Sequence, residues 1–312
     1  MLAIGRPRPI DAALNLARAS LILTAPNPRV GCVLTSPDGQ VIGTGHTQEA
    51  GGPHAEIMAL RDAEARGAPT AGATAWVTLE PCSHHGRTGP CCDALIAAGI
   101  RKVVASVADP NPLVAGQGFA RLRAAGVEVE TGPGAAESRE LNLGFFSRMI
   151  RGTPWVRMKL AASLDGKTAL DNGASQWITS SEARADGHAW RARACAVLTG
   201  IGTVLGDAPL LDVRLVETLR QPHLVIVDSR LETPPGARLF GLQRQVLVYA
   251  ALDDPARRAG LEARGATVIV LPDAGGTRVD MPALLRDLAR REVNELHVEA
   301  GHRLNGALVG AG

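Results

Sequence analysis

Apolar runs of strand length alternate with helix-forming stretches along the whole chain, and this alternation constrains the fold more than any other feature. In the first half VGCVL (30–34), VIGTG (41–45), ATAWVTLE (73–80), RKVVASVAD (101–109) and VEVE (127–130) read as strands. SPDGQ joins the first two as a hairpin turn. IDAALNLARASLIL (10–23), GGPHAEIMALRDAEARG (51–67), GPCCDALIAAGI (89–100) and FARLRAAG (119–126) read as helices. Pro53 suits a helix's first turn, and Gly67 suits its stop. The second half repeats the style, with strands in ACAVLTG, HLVIVDS, QVLVYA, ATVIVLP and ELHVEA, and helices in SSEARADGHAWRARA and MPALLRDLARREV. An α/β architecture with largely parallel or mixed sheets follows. A break near residues 144–154, where LNLGFFSRMIRGTP gives way to the strand opening PWVRMK, predicts two domains, 1–147 and 148–312. The closing LNGALVGAG starts an apolar helix and stops, so chain beyond Gly312 is expected.

Composition narrows the function. Hydrophobic residues make up 46% of the chain, enough for two cores, but aromatic residues only 3%, so those cores are built from Leu, Val, Ile and Ala. A net charge of +2 argues against a general electrostatic grip on nucleic acid, while leaving room for one local phosphate pocket. No apolar run is long enough to span a bilayer. Asp11 and Arg18 interrupt any signal-peptide core near the start. The cysteine count of five is odd, with Cys32 and Cys195 isolated in strand or core positions. A secreted disulfide framework is therefore not expected, and a cytoplasmic setting with reduced thiols is.

The other three cysteines crowd into EPCSHHGRTGPCC (80–92). His54 opens one helix, Cys91 opens another, and Cys82 follows a strand. Two helix starts aimed at one strand end can bring one imidazole and two thiolates to a single ion, a donor set that suits tetrahedral zinc. Three protein ligands leave a fourth position for water. Glu56, two residues after His54, then reads as a proton shuttle rather than a ligand, the design of zinc deaminases. Eight residues separate the two cysteines, more than the two of the generic deaminase signature. A closed structural zinc site is the alternative, with His84, His85 or Cys92 as fourth ligand, but it has no use for Glu56. Cys92 reads as a buried small residue.

With those residues in view, TAPNPRVGCV, GGPHAE and TLEPCSHHGRTGPC resemble the deaminase half of the bifunctional riboflavin-biosynthesis deaminase–reductases. VRMKLAASLDGKTA, GASQWITS, TGIGTVLGDAPLLDVR, IVDSR and VEAG resemble its reductase half. The eight-residue gap between cysteines is usual in that family. The resemblance implies a cytidine-deaminase-like three-layer N-terminal domain and a dihydrofolate-reductase-like C-terminal domain, the latter lacking its last strands in this chain. It implies zinc-dependent hydrolysis of 2,5-diamino-6-(5-phosphoribosylamino)pyrimidin-4(3H)-one, then NADPH-dependent reduction of the ribosyl chain to ribityl. One Zn²⁺ per chain would be held by His54, Cys82 and Cys91, with Glu56 catalytic. Other residues here carry weaker signals: Asn27 would hydrogen-bond the base edge or simply form a turn, and His46 would hold the substrate or cap a loop. His84 and His85 would line the pocket or lie on the surface, and Arg87 would meet the phosphate or stay solvated.

In the second half the resemblance assigns Ala161, Trp177, Thr203, Asp207 and Ser229 to the NADPH site, together with Gly301, Asn305, Gly306 and Ala307. It assigns Ser175, Arg191, Leu211, Arg214 and Glu299 to the substrate. Lys159 and Asp165 are further polar candidates, although Asp165-Gly166 also reads as a plain turn pair. No G-x-G-x-x-G loop follows a strand here, so a Rossmann site is not expected. The partner is a small phosphorylated pyrimidine, with neither nucleic acid nor membrane, and a homo-oligomer, dimer or tetramer, is expected. A deaminase of free bases, nucleosides or RNA is the competing enzyme reading. Near-neutral charge and the lack of aromatic stacking platforms speak against RNA.

Overall fold

The structure, a computed structural model, describes residues 8–84, 89–112, 114–172 and 178–311. The chain divides into two compact units, Met1–Arg151 and Gly152–Gly312. Among the described residues no helix is long and apolar enough to cross a membrane.

The first unit runs α1 (Pro9–Ala19), β1 (Gly31–Thr35), β2 (Val41–His46), α2 (Ala55–Ala65), β3 (Thr74–Val77), α3 (Cys91–Ala97), β4 (Lys102–Ala105), α4 (Gln117–Ala124), β5 (Glu128–Thr131), α5 (Ala135–Leu141) and α6 (Leu143–Arg151). Its sheet has the order β2-β1-β3-β4-β5. β1 is antiparallel to both β2 and β3, while β3, β4 and β5 run parallel. The sheet is therefore mixed: a hairpin feeds a parallel half. β1 is buried at every position, as the middle of a layered sheet requires.

Helices approach this sheet at glycines. A Cβ on Gly31 in β1 would stand 1.9 Å from the Ala13 carbonyl oxygen of α1. On Gly43 and Gly45 of β2 it would stand 2.3 Å from the Ala59 oxygen and 2.4 Å from the Ala55 oxygen of α2. With Ala on the facing helix and Gly on the strand, backbone meets backbone, and this small-residue packing replaces the aromatic bulk the chain lacks. α1 ends at Ala19, four residues short of the expected Leu23. Ser20 turns its hydroxyl back to the Ala17 carbonyl, and the Pro-rich segment beyond cannot continue a helix. α6 spans residues 147 and 148, and the division between units falls after Arg151.

The second unit runs β6 (Trp155–Met158), α7 (Ser181–Arg193), β7 (Ala196–Gly200), α8 (Ile201–Asp207), β8 (His223–Val227), a 3₁₀ turn (Arg238–Gly241), β9 (Val246–Ala250), α9 (Pro255–Glu262), β10 (Ala266–Val270), α10 (Met281–Arg290), β11 (Glu295–Val298) and α11 (His302–Gly310). The sheet order is β10-β9-β8-β7-β11-β6, and every ladder between these strands is parallel. Val, Leu and Ile from β7, β8 and β9 pack with Leu231, Leu239 and Leu261 in one core, each such side chain contributing roughly 1.5–3 kcal/mol on burial. Tyr249, the chain's single tyrosine, is fully buried, and its hydroxyl donates to Asp287 at 2.7 Å. Because all six strands point the same way, the segments after β6, β7, β8 and β11 leave from one edge of the sheet. In open parallel sheets ligands bind at that edge.

Replacing Gly31 with alanine is expected to cost about 3 kcal/mol, because the new methyl has only backbone to push against. Gly187 in α7 has nothing within 4 Å of a built Cβ. There Gly187→Ala should leave stability unchanged or raise it by up to about 1 kcal/mol. Urea unfolding of both variants checks the contrast.

Candidate functional site

Three donor atoms converge at the edge of the first sheet. His54 is the residue that caps the start of α2, and α2 is held on β2 by the Gly43 and Gly45 contacts. Cys91 is the first residue of α3, set by Pro90 before it. Cys82 lies in the loop that follows β3. The His54 Nδ1 atom is 3.5 Å from the Cys82 sulfur and 3.4 Å from the Cys91 sulfur. All three donor atoms lie within 4.8 Å of one another, the one such cluster of His, Cys, Asp or Glu groups among the described residues. A tetrahedral zinc with ordinary Zn–N and Zn–S bonds puts nitrogen and sulfur roughly 3.6 Å apart. The spacing therefore fits the ion, and the donor set of one imidazole and two sulfurs is the one zinc prefers. His54, Cys82 and Cys91 are the residues that would hold it.

Electrostatics agree. The Cys82 thiol is pulled far down, to about 4, first by hydrogen bonding from Cys91 and then by the His54 imidazole, while burial resists. Cys91 is pushed the other way by its contact with the Cys82 sulfur, by burial and by the nearby Glu56. The Cys91 N–H also donates to the Cys82 sulfur at 3.3 Å. Glu56 lies in the first turn of α2, only 3% exposed, and burial raises its carboxyl to about 7. It lies beside the donor triangle, close enough for Cys91 and His54 to act on its charge, yet stands outside it. Cys92 turns away, its thiol donating to the Pro81 carbonyl at 3.1 Å. Cys32 and Cys195 are buried core residues.

A support that the sequence reading passed over sits beside Cys82. The buried carboxylate of Glu80 accepts from the backbone N–H groups of Asp109 at 3.1 Å, Gly116 at 3.0 Å and Phe119 at 3.2 Å. A Cβ on Gly118 would stand 2.1 Å from the Pro81 oxygen, so the start of α4 presses directly on the Pro81-Cys82 loop. Glu80 thus fixes the backbone that presents Cys82. Asp109, also unmarked in the sequence, has its carboxyl raised to about 6 by burial, and His84 lies close enough to oppose the rise. The only local hint was an acid between a strand end and Pro-Cys.

The remaining expected contacts of the first unit are less tied down. Asn27 is half-buried in the loop before β1, its N–H bonded to the Thr24 carbonyl at 2.8 Å. That loop is anchored by Asn142, which exchanges hydrogen bonds with the Arg29 backbone at 2.7 and 3.0 Å. His46 ends β2, half-buried, with Gln48 3.3 Å from its Nδ1. His84 is exposed. No hydrogen bond joins Asn27, His46 or His84 to the donor triangle. His85 and Arg87 lie outside the described residues.

In the second unit the expected residues follow the carboxyl ends of parallel strands. Ala161 comes after β6, Thr203 and Asp207 lie in α8 after β7, Ser229 follows β8, and Glu299 and Gly301 follow β11. Ala161, Thr203 and Ser229 are half-buried, while Asp207 is exposed. Gly301 opens α11 with no side-chain cap, leaving first-turn N–H groups available to an anion. Gly306 and Ala307 are exposed on that helix. Asn305 is buried, donates to the Ala300 carbonyl at 3.0 Å, and has a sealed Oδ1 with no partner. An uncapped helix start with an orphaned amide oxygen fits a phosphate-bearing, hydrogen-bonding cofactor. Ser175 and Trp177 lie outside the described residues. Asp165 accepts from Ser163, and Gly166 takes a φ of 82°, so this pair forms a turn.

Two expected substrate contacts meet each other. The Arg191 fork grips Glu299, with Nη2 2.8 Å from Oε2 and a still closer Nε–Oε1 contact. Burial opposes the charge on Glu299, but Arg191 and the adjacent His297 outweigh it and hold the carboxyl well below the usual carboxylate range. Lys159 Nζ stands 3.8 Å from the same carboxylate. Arg191 also donates to the Asp212 carbonyl at 2.8 Å, and Arg214 pairs with the Asp212 carboxylate. The Leu211 side chain belongs to the core, and its backbone has a φ of 50°, a left-handed turn that Arg244 secures through the Leu211 carbonyl.

Comparison with known proteins places both units. Residues 8–107 match the cytidine and deoxycytidylate deaminase zinc-binding region, and residues 154–312 match the RibD C-terminal domain. The riboflavin biosynthesis protein RibD of Escherichia coli K12 is 45% identical over 96% of this chain and 83% of its own length. That of Aquifex aeolicus is 41% identical over 93% of this chain and 79% of its own. Among solved structures, Acinetobacter baumannii RibD superposes with a TM-score of 0.86 at 40% identity, covering 97% of this chain and 82% of that one. The Thermotoga maritima diaminohydroxyphosphoribosylaminopyrimidine deaminase/5-amino-6-(5-phosphoribosylamino)uracil reductase gives 0.85 at 36% identity, over the same shares.

Substituting Glu80 by glutamine keeps the shape but leaves one amide oxygen for three N–H donors. Zinc affinity, read by chelator competition, is expected to fall about 10- to 100-fold. Unchanged affinity would mean that the Cys82 loop holds itself.

Proposed function

The chain belongs to the RibD family of riboflavin-biosynthesis proteins, and from that premise we propose how its residues divide the chemistry. It is a bifunctional enzyme, a zinc-dependent deaminase in a cytidine-deaminase-like N-terminal domain and an NADPH-dependent reductase in a dihydrofolate-reductase-like C-terminal domain. The observation that carries the site assignment is the triangle of His54, Cys82 and Cys91 with the unliganded, buried Glu56 beside it.

The first substrate is 2,5-diamino-6-(5-phosphoribosylamino)pyrimidin-4(3H)-one, which loses its 2-amino group. Held by His54, Cys82 and Cys91, zinc would supply the acidity that makes water a nucleophile near neutral pH. Glu56 takes a proton as water adds and returns it to the departing ammonia. Its burial keeps bulk water from competing for that proton. Asn27 and His46 orient the pyrimidine; we assign pocket contacts to His84 and His85 and the phosphate to Arg87.

The product, 5-amino-6-(5-phosphoribosylamino)uracil, is then reduced at its sugar. NADPH supplies the hydride. The uncapped start of α11, from Gly301 through Ala307, receives the cofactor's phosphate, with Ala161, Trp177, Thr203, Asp207 and Ser229 completing its site. Arg191 and Arg214 bind the substrate phosphate, since a guanidinium fork matches its oxygens. Ser175, Leu211 and Glu299 hold the rest of the substrate. A cytoplasmic setting and a homo-oligomer, dimer or tetramer, complete the proposal.

Glu56→Gln should retain its zinc by elemental analysis while ammonia release falls by at least about 100-fold. Retained turnover removes Glu56 from the proton path. NADPH should be oxidised with the deaminated phosphoribosylamino uracil and not with dihydrofolate; the reverse preference would overturn the reductase assignment.

A further inference from the structure

His297 lies on β11, the strand between β7 and the edge strand β6, and is 1% exposed. Among the described residues neither ring nitrogen has a hydrogen-bond partner. Buried polar groups are nearly always hydrogen-bonded, so a fully enclosed imidazole with no aligned hydrogen bond at either nitrogen calls for a reason. Its surroundings supply one. His297 and Glu299 are two apart on the strand run and face the same side. His297 Nε2 stands 3.4 Å from Glu299 Oε1, close enough for attraction but out of line for a hydrogen bond.

That same Oε1 is held by Arg191 Nε. Arg191 and Glu299 therefore satisfy each other, although both belong to the proposed substrate site. A phosphate competes well for a bidentate guanidinium. Once it takes the fork, Glu299 is left as an enclosed carboxylate short of donors, which is costly. The Glu299 backbone cannot follow the ligand, because the Thr199 hydroxyl fixes its carbonyl at 2.8 Å. Only the side chain can turn; Lys159 Nζ stands 3.8 Å from its other oxygen, Oε2, which leaves His297 as the donor beside Oε1.

We propose that His297 is a positioning residue of the reductase half, whose near but unaligned contact with Glu299 Oε1 becomes a full hydrogen bond when the substrate phosphate draws Arg191 away. In the ligand-free arrangement Arg191 neutralises Glu299; in the liganded one a small turn of the carboxylate aligns it with the Nε2–H of His297. The pair Arg191–Glu299 then opens without stranding a charge. This rests on the reductase assignment above.

The test uses the full chain and ribose 5-phosphate as the probe, so it does not depend on turnover. With 15N-labelled histidine, eight side chains report, and His297→Gln identifies the signal that disappears. The His297 Nε2 resonance should shift on adding ribose 5-phosphate and stay put on adding ribose. In steady-state assays His297→Leu should raise the KM for the phosphorylated substrate about tenfold, the usual worth of a hydrogen bond to a charged group. The KM for NADPH and kcat should stay within about twofold, since His297 reaches Glu299 and not the cofactor. His297→Gln, whose amide nitrogen falls where Nε2 was, should recover most of the loss. An unmoved Nε2 resonance in the wild type overturns the proposal, and so does a leucine variant with wild-type KM. Should the wild type fail to oxidise NADPH at all, the reductase assignment falls, whereas the resonance shift still reads the hand-over.

Discussion

Backbone-to-backbone contact between α2 and β2 is the constraint on which the first active site depends. Gly43 and Gly45 leave no side chain between strand and helix, so Ala55 and Ala59 sit directly on the sheet. The start of α2 is thereby fixed to within the tolerance of packed backbone, and His54 and Glu56 go with it. Around Cys82, Gly118 presses on Pro81, and Glu80 gathers three N–H groups around the loop that carries the cysteine. Zinc ligation tolerates errors of a few tenths of an ångström, and a chain poor in aromatic residues meets that demand with glycine and alanine.

The second unit solves a different problem. Its chemistry is carried by a cofactor, so the protein needs a shelf rather than a cage. A fully parallel sheet provides one, since every strand delivers its following loop to the same edge. The charged residues on that edge are arranged as pairs, Arg191 with Glu299 and Arg214 with Asp212. Such pairing keeps the arginines in place without a ligand. If these arginines bind the substrate phosphate as proposed, binding would exchange one set of partners for another.

Legibility varied with how local the cause was. Runs such as HLVIVDS and QVLVYA announce buried parallel strands because β-branched and apolar residues crowd without alternation, and β8 and β9 lie there. α5, α8 and α9 did not stand out. They are only seven or eight residues long, too short for a hydrophobic period to repeat, and they owe their existence to the surface they cover. Glu80 was silent because the groups it binds lie 29 to 39 residues away. His297 was silent because an isolated histidine in an apolar strand looks like any other core residue.

From the sequence alone came the donor types, their order along the chain, and the alternation of strand and helix. These depend on side-chain chemistry and short-range periodicity, which neighbours in sequence express. The tertiary structure decided which donors share a point in space, which acid supports them from outside, and which charged groups spend their bonds on each other. Those outcomes depend on close approach between segments far apart in the chain, where a few tenths of an ångström of packing determine whether two atoms meet.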